Sequence, residues 1–275
     1  MEIFLNIDMI MIIGSLVIAA SIAGFLAGLL GIGGGIIIVP CLFTIFTYLQ
    51  YPDEKMMHVA VATALATTIF TTCSSVYAHY KRKAINIDFF IMFVPAIIVG
   101  VIMGTISAEY ISSDGLLGFF GFMLGFFAVM MFFDPSKISD KIPNIPKFLH
   151  MIIGTIIGYI CSLLGIGGAT LNVPYMVLNK ICIRNAVATA SAFALSVAVA
   201  GTSGFLYAGI GEETNIPNTF GYIHYLSFII MIPITMLMAP LGAKVAHIVN
   251  VNILRKAFAV VMLIVSLKML YSAFS

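Results

Sequence analysis

Apolar positions gather into long blocks along this chain: Met9 to Leu30, Phe89 to Ala108 and Leu116 to Phe133 each supply 18 or more residues. A helix needs about that length to cross a hydrocarbon layer about 30 Å thick. Such blocks recur from end to end and leave over no stretch for a soluble domain. The first follows Glu2 and Asp8 with no Lys or Arg before it, unlike the basic start of a cleaved signal peptide, and reads as a first membrane helix. Two blocks, Ile36 to Gln50 and Thr170 to Ile183, are shorter than a standard span. Each follows a glycine break, Gly31-Ile32-Gly33-Gly34 or Gly165-Ile166-Gly167-Gly168.

Those breaks belong to an internal duplication. Leu29 to Gly34 repeats as Leu163 to Gly168, with Val39-Pro40 matching Val173-Pro174 at the same spacing. Ala60-Val61-Ala62-Thr63-Ala64 returns as Ala186-Val187-Ala188-Thr189-Ala190, and Pro95 and Gly104 return as Pro233 and Gly242. The order is the same in both copies. Residues 1–133 form a first transmembrane repeat and 149–275 a second, joined by a cytoplasmic linker at 134–148 that holds Pro135, Pro143, Pro146 and three lysines.

Charge decides how often the chain crosses. If the two short segments cross, there are ten passes, and 11 of the 13 basic residues, from Lys81-Arg82-Lys83 through Lys137, Lys141, Lys147, Lys180, Arg184, Lys244, Arg255 and Lys256, share one side. The other side receives Glu2, Asp8, Asp53, Glu54, Glu109, Asp114, Glu212 and Glu213, with Lys55 as its one basic loop residue. Positive charge then lies inside, as it does in most membrane proteins. If each break instead reversed the chain within one leaflet, giving eight passes, the basic residues would be split. Ten passes with both termini outside are expected, five per half, and an odd number per half inverts the second copy against the first. Lys268, near the end of the last helix, is read as snorkelling to the outer interface.

Composition agrees. Hydrophobic residues make up 61% of the chain and charged ones 9%, against roughly 25% charged in soluble domains. The expected class is an all-α integral membrane protein of a cell membrane, with the lipid bilayer as solvent. A net charge of +2 implies no nucleic-acid partner. Cys41, Cys73, Cys161 and Cys182 lie in apolar surroundings without CxxC spacing or clustered histidines, so they read as packing residues, and no metal or cofactor is expected. Homo-oligomerisation stays open.

Glycines in such density cost a helix roughly 1 kcal/mol each and bare backbone N–H groups that lipid cannot satisfy. A helix restarting after each break directs free N–H groups and the positive end of its dipole into the protein, an arrangement that attracts anions. Two such ends related by inverted symmetry can converge on one anion near the midplane. Gly14, Gly24, Gly100, Gly121 and Gly125 are read instead as aids to close helix packing.

The motif GLLGIGGG at 28–35 followed by Val39-Pro40, with SLLGIGGA at 162–169 followed by Val173-Pro174, resembles the sulfite exporter TauE/SafE family of membrane transporters. The resemblance covers nearly the whole chain and takes in Lys81-Arg82-Lys83 before Asn86-Ile87-Asp88, and the Pro95 and Pro233 helices. It implies transport of small sulfur-containing or organic anions, such as sulfite, sulfoacetate, isethionate or thiosulfate. The second copy departs from the first with Ala169 in place of Gly35 and Asn172 in place of Ile38.

The expected substrate site comprises the backbone of Gly33, Gly34, Gly35, Gly167, Gly168 and Ala169, with Thr170, Asn172, Thr63, Thr189 and Ser191. These side chains offer hydrogen bonds to sulfonate or carboxylate oxygens, although a buried hydroxyl more often bonds a carbonyl of its own helix. His58 and Arg184 align between the repeats and fall near opposite faces. Pro95 and Pro233 sit mid-span. No Asp or Glu lies deep in a span, so no coupling carboxylate is visible. An anion leaving a negative interior gains about 2.3 kcal/mol per charge per 100 mV, which favours export. Two rival readings stand beside this: an anion channel using the same site, and an intramembrane serine protease built on Gly201-Thr202-Ser203-Gly204 with His224 or His247 as base.

Overall fold

Backbone polar groups in a bilayer are satisfied only within helices or closed barrels, and this chain takes the helical solution. The computed structural model describes residues 2–30, 33–130, 146–212, 214–245 and 251–274. The first repeat supplies α1 (Glu2–Leu30), α2 (Gly35–Tyr48), α3 (Met56–Lys81), α4 (Ile87–Ala108) and α5 (Ser113–Met130). The second supplies α6 (Lys147–Leu164), α7 (Ala169–Leu178), α8 (Ile183–Ala208), α9 (Tyr225–Val245) and α10 (Val251–Phe274). A short hairpin pairs β1 (Thr219–Phe220) with β2 (Ile223–His224) between α8 and α9. Among the described residues, seven helices are long and apolar enough to cross a membrane, while α2, α7 and the apolar part of α10 are shorter. Large apolar side chains such as Ile18, Ile91, Phe122, Ile152, Ile229 and Ile264 face outward. The fold is all-α and membrane-embedded. Gly31, Ile32, His247 and most of the polar linker lie outside the described residues.

Packing repeats with the sequence. α1 packs on α9 as α6 packs on α4, α3 packs on α9 as α8 packs on α4, and α2 and α7 pack on α3 and α8. Glycines set the closest approaches. Gly24 meets Thr235 and Gly158 meets Ile97, the same contact in repeat register, because 24 and 158 are 134 apart like the two breaks and 97 and 235 are 138 apart like the two prolines. A Cβ on Gly158 would lie 2.9 Å from the Ile97 carbonyl carbon. Gly100, Gly121 and Gly125 likewise abut Thr155, Leu270 and Ser266, as close packing requires. Gly14 is a correction: nothing lies within 4 Å of where its Cβ would stand.

Two helix pairs, α3 with α8 and α5 with α10, run antiparallel. On α3 and α8, Leu65 lies against Gly201 whereas Ser75 bonds Ser191 at 3.3 Å. On α5 and α10, Gly118 faces Ala273 and Gly125 faces Ser266. One end of the bundle gathers the starts of α3, α5 and α9: Met57 N donates to Ser113 Oγ at 3.1 Å, His58 Nε2 bonds the Ala108 carbonyl at 2.8 Å, and His224 N donates to Thr63 Oγ1 at 2.9 Å. The opposite end gathers the starts of α4 and α8, where Asn86 N donates to Thr189 Oγ1 at 2.8 Å. Lys81, Arg82, Lys83, Lys180, Arg184 and Lys244 cluster at this second end, and Asp53, Glu54, Glu109, Asp114 and Glu212 at the first.

α6 runs alongside α4 in the same sense and so leaves the basic end, yet α8 starts at that end. The short α7 must carry the chain back. His150 Nδ1, near the start of α6, hydrogen-bonds Tyr175 Oη on α7, whose ring stacks on Phe93 at 5.3 Å. Had α7 continued onward from α6, helix rise alone would set His150 and Tyr175 roughly 30 Å apart. The break therefore reverses the chain partway through the bundle. α1 and α2 do the same from the acidic end, since α1 runs alongside α9 and α3 starts where α9 starts. Ten segments are present, but α2 and α7 are half-length arms of hairpins rather than full crossings.

Candidate functional site at the paired glycine breaks

Positive φ angles make these positions glycine sites: Gly33 and Gly34 lie at 84° and 76°, Gly165 and Gly168 at 66° and 79°. The two breaks touch. A Cβ on Gly33 would lie 3.2 Å from Gly167 Cα, and one on Gly35 would strike the carbonyl of Gly165. Gly34 and Gly168 cap α2 and α7 without a side chain. Ile37 and Ile38 N donate to Gly34 O at 3.0 and 3.1 Å, and Leu171 and Asn172 N to Gly168 O at 3.2 and 2.9 Å. The amides just before them, of Gly35 and Ile36 and of Ala169 and Thr170, have no acceptor within their own helix.

The halves then diverge. Thr68 Oγ1 donates to Gly33 O at 2.9 Å and clips the first break. Its repeat counterpart is Ala194, which touches Gly167 and offers no such bond. The polar groups sit instead on α7. Asn172 is 0% exposed, and neither Nδ2 nor Oδ1 has a hydrogen-bond partner. Thr170 Oγ1 is likewise buried and unpartnered. Asn172 Nδ2 lies 3.1 Å from where a Cβ on Gly168 would stand, so the amide faces the break. Leaving buried polar atoms unmade costs about 1–3 kcal/mol each. In the first half the same positions are Ile36 and Ile38, both buried. Behind the breaks, Ile36, Phe120, Leu124, Phe127, Leu164 and Ile166 form an apolar cluster that offers nothing to a charge.

The model of the sulfite exporter TauE/SafE family matches residues 16–269. The chain belongs to the sulfite exporter TauE/SafE family. A probable membrane transporter protein of Haemophilus influenzae is 27% identical over 92% of this chain and 96% of its own length. One of Methanocaldococcus jannaschii is 30% identical over 87% and 85%. The probable membrane transporter protein YunE of Bacillus subtilis is 24% identical over 93% and 96%. No solved structure matches the chain. This TauE/SafE protein is a membrane transporter and not an enzyme. The serine of the protease reading is not poised as a nucleophile either: Ser203 Oγ is exposed and bonds its own helix at Val199 O.

Of the expected site residues, Gly33, Gly34, Gly35, Gly167, Gly168, Ala169, Thr170 and Asn172 come together at the junction. Thr63, Thr189 and Ser191 do not join them. Thr63 and Thr189 anchor the starts of α9 and α4 at opposite ends of the bundle. Each receives the amide of a capping residue, and Asn86 Oδ1 accepts from Phe89 N at 3.1 Å as His224 Nδ1 accepts from Ser227 N at 3.3 Å. Ser191 bonds Val187 O in its own helix and accepts from Ser75. Thr67, Thr71, Thr72 and Ser196 also bond back to carbonyls of their own helices. His58 is buried against Ala108 O, and Lys268 reaches Thr44 Oγ1 at 3.4 Å from an exposed position. Burial holds the His224 imidazole far below its ordinary 6.5, at about 4. The packing role expected of all four cysteines fits Cys161, which is buried, but not Cys73 or Cys182, which are exposed.

Proposed function

We propose that this TauE/SafE protein exports small sulfur-containing or organic anions, sulfite or organosulfonates such as sulfoacetate or isethionate, by alternating access at the junction of the two breaks. The observation that carries this reading is Asn172, a fully buried amide without a partner, facing the N-terminus of α7. A positive helix end with free amides attracts an anion, and Asn172 Nδ2 and Thr170 Oγ1 would supply further bonds to its oxygens. Gly33, Gly34 and Gly35 bring a second helix end to the same point.

The halves are inverted repeats in this reading, and their common packing scheme gives two states of similar energy, each closing one face. The basic end lies in the cytoplasm of a cell membrane by the positive-inside rule, which sets both termini outside. Export runs down the membrane potential without a coupling ion. Asp88 and Asp114 sit in the first turns of α4 and α5 rather than mid-span, where a coupling carboxylate would stand.

A thermal-shift panel of sulfite, thiosulfate, sulfonates and carboxylates tests the site, because a ligand of the folded state raises its melting temperature. At least one anion is expected to do so, and none would overturn the site. Flux into proteoliposomes that saturates with substrate separates transport from a channel. Accumulation seen only under a proton or sodium gradient would refute uncoupled export.

A further inference from the structure

The second repeat carries an addition that the first lacks. α3 and α4 are joined by residues 82–86, but α8 and α9 by residues 209–224. The repeat offset accordingly rises from 126 at Thr63 and Thr189 to 138 at Pro95 and Pro233, a difference of 12 residues. This addition holds the β1–β2 hairpin and folds over the acidic end of the bundle. Tyr222 is its anchor, 0% exposed, with its ring 5.6 Å from that of His58 and 6.4 Å from Phe205. Gly209 leaves room for the hairpin, since a Cβ there would lie 2.6 Å from Tyr222 N. A cross-repeat ion pair closes the arrangement: Lys55, from the α2–α3 link of the first half, reaches Glu212 of the addition at 3.9 Å.

The polar atoms without partners under this cover include Tyr222 Oη and His58 Nδ1, in residues 0% and 1% exposed. His58 Nε2 faces a carbonyl oxygen and must carry the ring proton, which leaves Nδ1 as an acceptor. Tyr222 Oη is a donor. Lys55 Nζ stands over the Tyr222 ring, 5.7 Å from its centroid, and Glu212 answers it only at long range. An ammonium, a hydroxyl donor and an imidazole acceptor together suit a small oxyanion that retains one proton or brings a water.

We propose that Lys55, His58 and Tyr222 form a second oxyanion site at the outer mouth, where the anion displaces Glu212 from Lys55 and thereby frees the hairpin from the bundle. This inference rests on the anion-transport reading for the source of its ligand, and it fails separately from it. A plain structural latch would behave differently, because Lys55→Met and Glu212→Gln both break the ion pair and would then be equivalent. A site in which Glu212 competes with the ligand makes them opposite.

The chain contains no tryptophan, so Phe220→Trp, at an exposed position of the hairpin, creates a local fluorescent reporter. The full-length purified protein carrying it is titrated with sulfite and with sulfate against chloride at matched ionic strength. Emission is expected to change saturably with either oxyanion. Glu212→Gln should lower the half-saturating concentration by up to about fivefold, the ceiling for a partly exposed ion pair, and Lys55→Met should abolish the response. Asn172→Ile should leave the response in place. Equal behaviour of Lys55→Met and Glu212→Gln overturns the site, as does a response to chloride alone or one that Asn172→Ile removes. Intact flux in Asn172→Ile would sink the central site and leave this one standing.

Discussion

Asn172 and Ile38 occupy equivalent positions on two helices of the same origin, yet only the amide is left with bonding capacity unmet in the interior. Replacing Asn172 with Ile gives α7 the residue that α2 tolerates, so the fold should survive while anion-induced thermal stabilisation and flux both disappear. Retention of either in a folded variant counts against the junction as the site. His224 and Asn86 are also repeat partners, both capping a helix and both held by a threonine hydroxyl. With a folded pKa of about 4 against 6.5, His224 stays neutral in the native state and adds stability fully present above pH 6.5. That stability, up to about 3 kcal/mol, is lost as pH falls from 6.5 towards 4. His224→Asn should keep the cap and flatten this dependence in melting curves taken between pH 7 and 4. A variant as acid-sensitive as the parent would show that another group controls it. Roles of this kind were only partly legible in the sequence. Thr63 and Thr189 stand out as aligned hydroxyls, but the partner of Thr63 lies 161 residues away, and nothing local reveals that it is a backbone amide rather than a ligand. Asn172 was legible because the repeat exposes it as a departure.

At the scale of elements, the duplicated blocks marked α1 to α4 and α6 to α9, and the segregation of charge grouped the loops at the two ends of the bundle, while the helix ends at the glycine breaks lie inside it. Charge counting could not show where the chain turns, because a full crossing and a half-length return arm deliver the same loops to the same faces. The turning point is fixed by the positive φ of Gly165 and Gly168 and by the His150–Tyr175 bond, which depend on tertiary contact. Glycines elsewhere divide by what faces them. Gly158→Ala would drive a methyl group into the Ile97 backbone and should destabilise the protein by about 1–3 kcal/mol, the usual cost of overpacking. Gly24→Ala, the same contact in the other half, should cost a similar amount. Gly14→Ala meets open space and should instead stabilise α1 by up to about 1 kcal/mol. Melting temperatures of the three variants check this ordering, and a neutral Gly158→Ala would contradict the tight α4–α6 contact.

The whole molecule has one face rich in basic residues and one rich in acidic residues, and its transport direction depends on which faces the cytoplasm. Cys182 reports on this without any engineered residue. It is exposed at the start of α8, on the basic end, where backbone N–H groups of Asn185 and Arg184 hold its thiol below the ordinary 9.0. Among the other cysteines, Cys161 is buried, Cys41 is half-buried, and Cys73 is exposed only within the membrane-spanning length of α3. A water-soluble, membrane-impermeant maleimide should therefore modify one site, and the lowered pKa keeps that reaction fast at neutral pH because the thiolate is the nucleophile. Intact cells should resist labelling, permeabilised cells should be labelled, and Cys182→Ser should remove the signal. Labelling in intact cells would put the basic end outside. The break that holds Asn172 would then open from the opposite face, and the proposed outer mouth at Lys55, His58 and Tyr222 would become an inner one, so this measurement orients both sites.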